Sequence, residues 1–197
     1  MLGNYKLNYR HLGIIGLMVL MGGTRFHHFG GTFSLPDASL AVFFLSGLWF
    51  GGRYLFFLLL VEAGLIDFLA ISQFGVSDFC VSGAYPFLIP TYFAMWFAGK
   101  LCTSSQAVKV TTLAKQFIFL VLAAVIAFLI SNGSFYVLSE NITEVTWSLY
   151  FEQFERYFPS YLFSTIAYVV FIYTLVTLVR ALLVTARPDL FEKELQE

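Results

Sequence analysis

Long apolar runs separated by short polar segments dominate this chain and predict six membrane-spanning helices. Their approximate bounds are residues 11–29, 37–51, 54–72, 85–100, 114–138 and 159–184. A run of about 20 apolar residues is long enough to cross a bilayer as a helix. The second run follows Pro36 and Asp37, which suit a helix start because proline is tolerated in the first turn and an acid complements the helix dipole. We predict an all-α membrane protein with one domain over residues 1–197.

Composition agrees with this fold class. Hydrophobic residues make up 59% of the chain and charged residues 12%, whereas soluble domains carry about 25% charged residues. The net charge of −1 and the lack of a basic run indicate no nucleic-acid partner. The chain has two cysteines, which excludes a disulfide framework and a CxxC redox or zinc motif.

The basic residues predict the orientation in the membrane. If both termini are cytoplasmic, nine basic residues lie inside and only Arg25 and Arg156 lie outside. This asymmetry follows the positive-inside rule and favours an even number of spans. The predicted outer loops are residues 24–36, 72–84 and 139–158. The nine inner residues are Lys6, Arg10, Arg53, Lys100, Lys109, Lys115, Arg180, Arg187 and Lys193.

The few reactive groups gather between Asp67 and Pro90, where Cys80 is the main candidate for chemistry. It lies just before a predicted helix start, whose positive potential favours a thiolate. A thiolate is a soft ligand. A lone cysteine cannot build a four-ligand zinc site, but it can supply one axial ligand to a metal held in a macrocycle. The alternative is that Cys80 packs as a small hydrophobe. Cys102 lies at the opposite end of the fourth span, about 30 Å away by helix rise, which excludes an intramolecular disulfide, and we predict that this cysteine is inert.

Other polar residues have both a functional and a structural interpretation. Asp67 lies inside the third span, where acids are costly and often functional, but it could instead be a snorkelling or helix-paired acid. Glu62 is deeper in the same span, and a hydrogen bond to Ser46 or another small polar group is its structural interpretation. His28 and Arg156 either line an outer pocket or are polar residues of the interface and a solvated loop.

These residues carry a resemblance to a known family. The segment PDASLAVFFLSG, the acid Asp67 and the segment DFCVSGAYPF resemble the BtuM group of small bacterial cobalamin transporters, which are related to the S-components of energy-coupling factor transporters. The resemblance implies a multi-pass protein of the bacterial cytoplasmic membrane that binds cobalamin in a cavity open to the periplasm. It implies that Cys80 is an axial ligand of the cobalt. The other implied pocket residues are Asp67, Tyr85, Arg156, His28 and Phe79.

The resemblance also bears on energy source and partners. S-components that dock on a coupling subunit usually carry an alanine-x-x-x-alanine pattern in the first span, whereas Gly13 and Gly16 here are spaced by three residues. An energising module and a periplasmic delivery protein are the candidate protein partners. No phosphate-binding loop occurs, so the chain itself does not hydrolyse ATP.

Two other functions stay open, together with an ancillary reaction. Thiolate donation to cobalt could labilise a cyanide on the opposite face, so loss of cyanide is an ancillary chemistry to consider. One alternative is an S-component for another micronutrient. The other is a membrane thiol oxidoreductase, although such enzymes normally use a pair of cysteines on one side and Cys80 has no outer partner.

Overall fold

The computed structural model describes residues 9–26, 35–74, 82–103, 109–138 and 146–186. Within these ranges the regular structure is entirely helical, which confirms the predicted all-α class. A short 3₁₀ turn over Tyr85–Phe87 leads directly into the fourth helix. The helices are α1 (Tyr9–Phe26), α2 (Ser39–Trp49), α3 (Arg53–Phe74), α4 (Leu88–Leu101), α5 (Val110–Leu138) and α6 (Trp147–Ala186).

Three of the described helices are long and apolar enough to cross a membrane. They are α3, α5 and the segment Trp147–Val179 of α6, with mean hydropathies of 2.2, 2.5 and 2.2 over their most apolar windows. Most residues of these three helices are not buried by the rest of the protein, as expected for helices whose outer faces contact lipid. These helices support the prediction of a membrane protein.

Helix α2 forms the centre of the bundle. Every residue from Ser39 to Leu48 is buried, and α2 contacts α1, α3, α4 and α6. A helix that is apolar on all sides is stable only when it is surrounded, and the sequence SLAVFFLSGL has this character. Its 11 residues span about 17 Å, so α2 is a short central helix.

The contact between α2 and α4 depends on two glycines. Gly47 of α2 lies against the carbonyl oxygen of Trp96, and Gly99 of α4 lies against the carbonyl oxygen of Phe44. Each glycine therefore lets the backbone of the other helix approach where a Cβ would collide with it. Small residues at helix crossings commonly allow such close packing in membranes.

The first five helices begin and end within four residues of the predicted span bounds, but the start of α6 differs. Residues 147–158, which were predicted to belong to an outer loop, are helical, and Pro159 lies inside α6. The prediction of a helix start near Pro159 was therefore wrong. An interior proline removes a backbone hydrogen bond. The first part of α6 is nevertheless held by aromatic packing, because Phe154 and Phe158 lie 5.3 and 5.2 Å from the ring of Phe128 in α5.

Candidate functional site

A buried ion pair between α1 and α3 forms the centre of the candidate site. Arg25 lies in the last turn of α1, and both it and Asp67 are only 6% exposed. Arg25 Nε donates to Asp67 Oδ1 at 2.7 Å, and Arg25 Nη2 donates to Asp67 Oδ2 at 2.5 Å. This two-pronged arrangement matches the planar guanidinium to the carboxylate and is the strong form of such a pair.

The remaining nitrogen of Arg25 joins two more helices to the pair. Nη1 lies 2.6 Å from Tyr92 Oη in α4, 3.1 Å from Ser39 Oγ in α2 and 3.2 Å from Asp37 Oδ2. Asp37 also accepts the backbone N–H of Ser39 at 2.9 Å, which satisfies a donor at the start of α2. Arg25 therefore ties four helices together at one end of the bundle.

Tyr85 connects this network to the turn that precedes α4. Its hydroxyl donates to Asp67 Oδ2 at 2.8 Å. The Tyr85 backbone N–H donates to the Ser82 carbonyl at 2.9 Å, and this bond shapes the turn. Asp67 and Tyr85, which the resemblance implied as pocket residues, are thus in direct contact. We call Arg25, Asp37, Ser39, Asp67, Tyr85 and Tyr92 the Arg25 cluster.

The charges of the Arg25 cluster do not cancel. One guanidinium contacts two carboxylates, so the formal charges sum to −1. Asp37 and Tyr85 are partly exposed, whereas Arg25 and Asp67 are buried. The cluster therefore has a buried ionic base and a partly accessible rim, which suits contact with a cationic or hydrogen-bonding ligand at this end of the bundle.

The other predicted site residues are not part of this cluster. Cys80, Phe79 and His28 lie outside the described residues. Arg156 is in α6, where its side chain is 63% exposed and its Nη2 lies 3.9 Å from Glu152 Oε1. An exposed pair of this kind contributes little to stability. The structure therefore brings Asp67 and Tyr85 together and leaves Arg156 apart from them.

The structure also bears on the sequence interpretations of Glu62 and Cys102. Ser46 Oγ donates to the carbonyl of Phe43 at 2.8 Å, so Ser46 is not the small polar group that donates to Glu62. Glu62 Oε2 has no hydrogen-bond partner among the described residues.

Cys102, at the end of α4, is buried, and burial raises the pKa of its thiol. A buried thiol with a raised pKa is a poor nucleophile, which agrees with the interpretation of Cys102 as inert.

Sequence reasoning missed Arg25, Asp37 and Tyr92 as site residues. Arg25 counted only as an outer charge and Asp37 only as a helix-start residue, and Tyr92 was not singled out among the aromatic residues at the outer ends of the spans. A usable signal was present, because a cation at the end of one apolar run and an acid inside another predict a buried pair. The spacing of 42 residues between Arg25 and Asp67 gives no local pattern that links them.

The donor set of the Arg25 cluster is made of oxygens and one guanidinium. Among the residues that the structure describes, no group of three histidines, cysteines or acids could hold a metal ion. Neither a protein-family model nor a curated protein matches this chain.

Proposed function

We propose that this protein is a six-span carrier that takes up cobalamin across the bacterial cytoplasmic membrane, with Cys80 as an axial ligand of the cobalt. The observation that carries the proposal is the hydrogen bond from Tyr85 to Asp67, anchored by Arg25. This hydrogen bond joins two residues that the resemblance implies as pocket residues. It lies at the end of the bundle where α3 ends and the chain continues towards Cys80. No other described polar cluster is buried to the same degree.

Chain connectivity supports a role for Cys80 next to this cluster. Cys80 precedes Ser82 by two residues, and two residues of extended chain reach at most about 7 Å. Ser82 in turn accepts the backbone N–H of Tyr85. The sequence therefore joins Cys80 by two residues to the turn that carries Tyr85, at the end of α4 where the Arg25 cluster lies.

The chemistry of the residues suits a corrinoid. A Cys80 thiolate is a strong donor to cobalt and would displace the weaker dimethylbenzimidazole arm, which leaves the ligand in its base-off form. The Arg25 cluster has an excess of one formal negative charge, which favours a cationic cobalt centre over a neutral ligand. The partly exposed phenol of Tyr85 would hold polar groups of the ligand near the cluster.

Loss of a bound cyanide requires no oxidant or reductant. The Cys80 sulfur forms a bond to Co(III), and electron donation from this sulfur weakens the cobalt–carbon bond on the opposite face. Cyanide then leaves with the bonding electron pair and takes up a proton in water, while cobalt stays in the same oxidation state. We propose this ligand exchange as an accompaniment of binding.

The proposed carrier has both termini in the cytoplasm and its cobalamin cavity open to the periplasm. In α1, a Cβ added at Gly13 would lie only 3.0 Å from Cζ of Phe50, whereas a Cβ added at Gly16 would have nothing within 4 Å. The two glycines therefore do not form one free docking stripe. This supports uptake without docking of an energising module through that surface, and delivery by a periplasmic protein is compatible with it.

Growth of a bacterial strain that lacks its own cobalamin transporter tests the proposal. We expect the protein to restore cobalamin-dependent growth, and Cys80→Ala to abolish this at low cobalamin because the axial ligand is lost. Cys102→Ala is the matched control and keeps growth, since that thiol is buried at the other end of α4. Equal growth with the Cys80 variant and the native chain, at matched membrane levels, contradicts the proposal. A colourless protein that binds another vitamin favours the other S-component class.

A further inference from the structure

A groove on the exposed surface of α3 and α4 shares no lining residue with the Arg25 cluster. Its cavity volume is about 470 Å³, which lies within the range of about 300–1,000 Å³ that small-molecule sites occupy. We call it the α3–α4 groove. It is lined by Arg53, Phe56, Phe57, Ile89, Pro90, Phe93 and Trp96.

The α3–α4 groove has a buried aromatic floor and exposed walls. Phe56 and Trp96 are buried and form the floor, with ring centroids 5.4 Å apart. Phe57, Ile89 and Phe93 are largely exposed and form the walls. Phe93 meets Phe56 edge to face at 5.9 Å. Apart from Arg53, the lining is apolar, so its occupant is a hydrocarbon group.

Two cations stand at one end of the groove. Arg53 is the first residue of α3 and is exposed, and Lys100 Nζ lies 5.0 Å from the ring centroid of Trp96. Within the described ranges no acidic side chain forms an ion pair with either of them. The described acids other than Glu62 belong to the opposite end of the bundle. The groove therefore combines an apolar body with a positively charged mouth.

We propose that the α3–α4 groove binds an anionic phospholipid, with one acyl chain along Phe56, Phe93 and Ile89 and the phosphate at Arg53 and Lys100. Charge complementarity selects this occupant, because basic pockets between membrane helices bind anionic head groups. An acyl chain of a lipid in the leaflet at the Arg53 end would lie along this floor, parallel to the helix axes. The proposal does not depend on cobalamin transport.

Native mass spectrometry of the purified full chain tests this site. Phosphatidylglycerol and phosphatidylcholine with the same acyl chains are added separately at equal concentration. We expect phosphatidylglycerol to bind more tightly. Arg53→Gln and Lys100→Gln are each expected to weaken it about fivefold, the effect of one basic side chain near an anionic membrane surface. Lys109→Gln, which removes a charge that neither lines the groove nor lies over one of its rings, is expected to leave the affinity unchanged.

A second variant separates chain binding from charge attraction. Ile89→Trp fills the groove at an exposed wall position and keeps both cations. We expect it to lose phosphatidylglycerol binding while its thermal unfolding temperature stays at the native value. Full binding by Ile89→Trp, equal binding of the two lipids, or an equal loss with Lys109→Gln overturns the proposal.

Discussion

We expect Gly47→Ala and Gly99→Ala each to destabilise the protein severely. At either position a Cβ would collide with a backbone carbonyl oxygen of the facing helix, Trp96 in one case and Phe44 in the other. A backbone atom cannot move aside as a flexible side chain can, so α2 and α4 must separate. We expect a loss of at least about 3 kcal/mol, at the upper end of ordinary overpacking effects. For a chain of this size that lowers the unfolding temperature by roughly 6–12 °C.

Gly64→Ala is the matched control for these two variants. Gly64 lies in α3, and a Cβ there has nothing within 4 Å. Alanine is also the better helix former, so we expect an unchanged or slightly higher unfolding temperature in detergent. If Gly47→Ala and Gly64→Ala unfold at the same temperature, the close crossing of α2 and α4 is wrong.

The second large effect is expected for Arg25→Gln. This change leaves the buried carboxylate of Asp67 and the partly exposed carboxylate of Asp37 without their cation. Removing one partner of a buried ion pair typically costs about 3–5 kcal/mol, because the remaining charge stays desolvated. We expect a lower unfolding temperature in detergent and, since Asp67 and Tyr85 lose their anchor, weaker cobalamin binding.

A second substitution distinguishes a loss of charge pairing from a general loss of packing. In the double variant Arg25→Gln with Asp67→Asn, the uncompensated charge on Asp67 is gone. We therefore expect it to recover part of the stability that Arg25→Gln alone loses. Arg156→Gln, which removes an exposed cation, serves as the control and stays within about 0.5 kcal/mol of the native chain. If Arg25→Gln and Arg156→Gln are equally stable, Arg25 is not the anchor of the cluster.

Most of the fold could be predicted from the sequence because hydrophobic run length reports helices directly. The runs located α1 to α5 within four residues at each end. They failed at the start of α6, where Pro159 suggested a helix start. There the contacts of Phe154 and Phe158 with Phe128 outweigh the local effect of proline. Such packing depends on a residue far away in the chain and leaves no local signal.

The candidate site could be predicted only in part. Asp67 and Tyr85 were both singled out as polar groups near Cys80, and they are in contact. Arg25 was not singled out, although it donates five hydrogen bonds to the other members of the cluster. Its role depends on the crossing of α1 and α3, which hydropathy does not describe. Burial of a guanidinium becomes visible only when the helices are placed together.

The absorption spectrum of cobalamin bound to the purified protein tests the central claim most directly. The native chain is expected to give a spectrum of base-off, thiolate-coordinated cobalt that differs from free cobalamin. Cys80→Ala is expected to bind more weakly and to show no thiolate coordination, while Cys102→Ala keeps the native spectrum. An identical bound spectrum for Cys80→Ala and the native chain would contradict the assignment of Cys80 as the cobalt ligand.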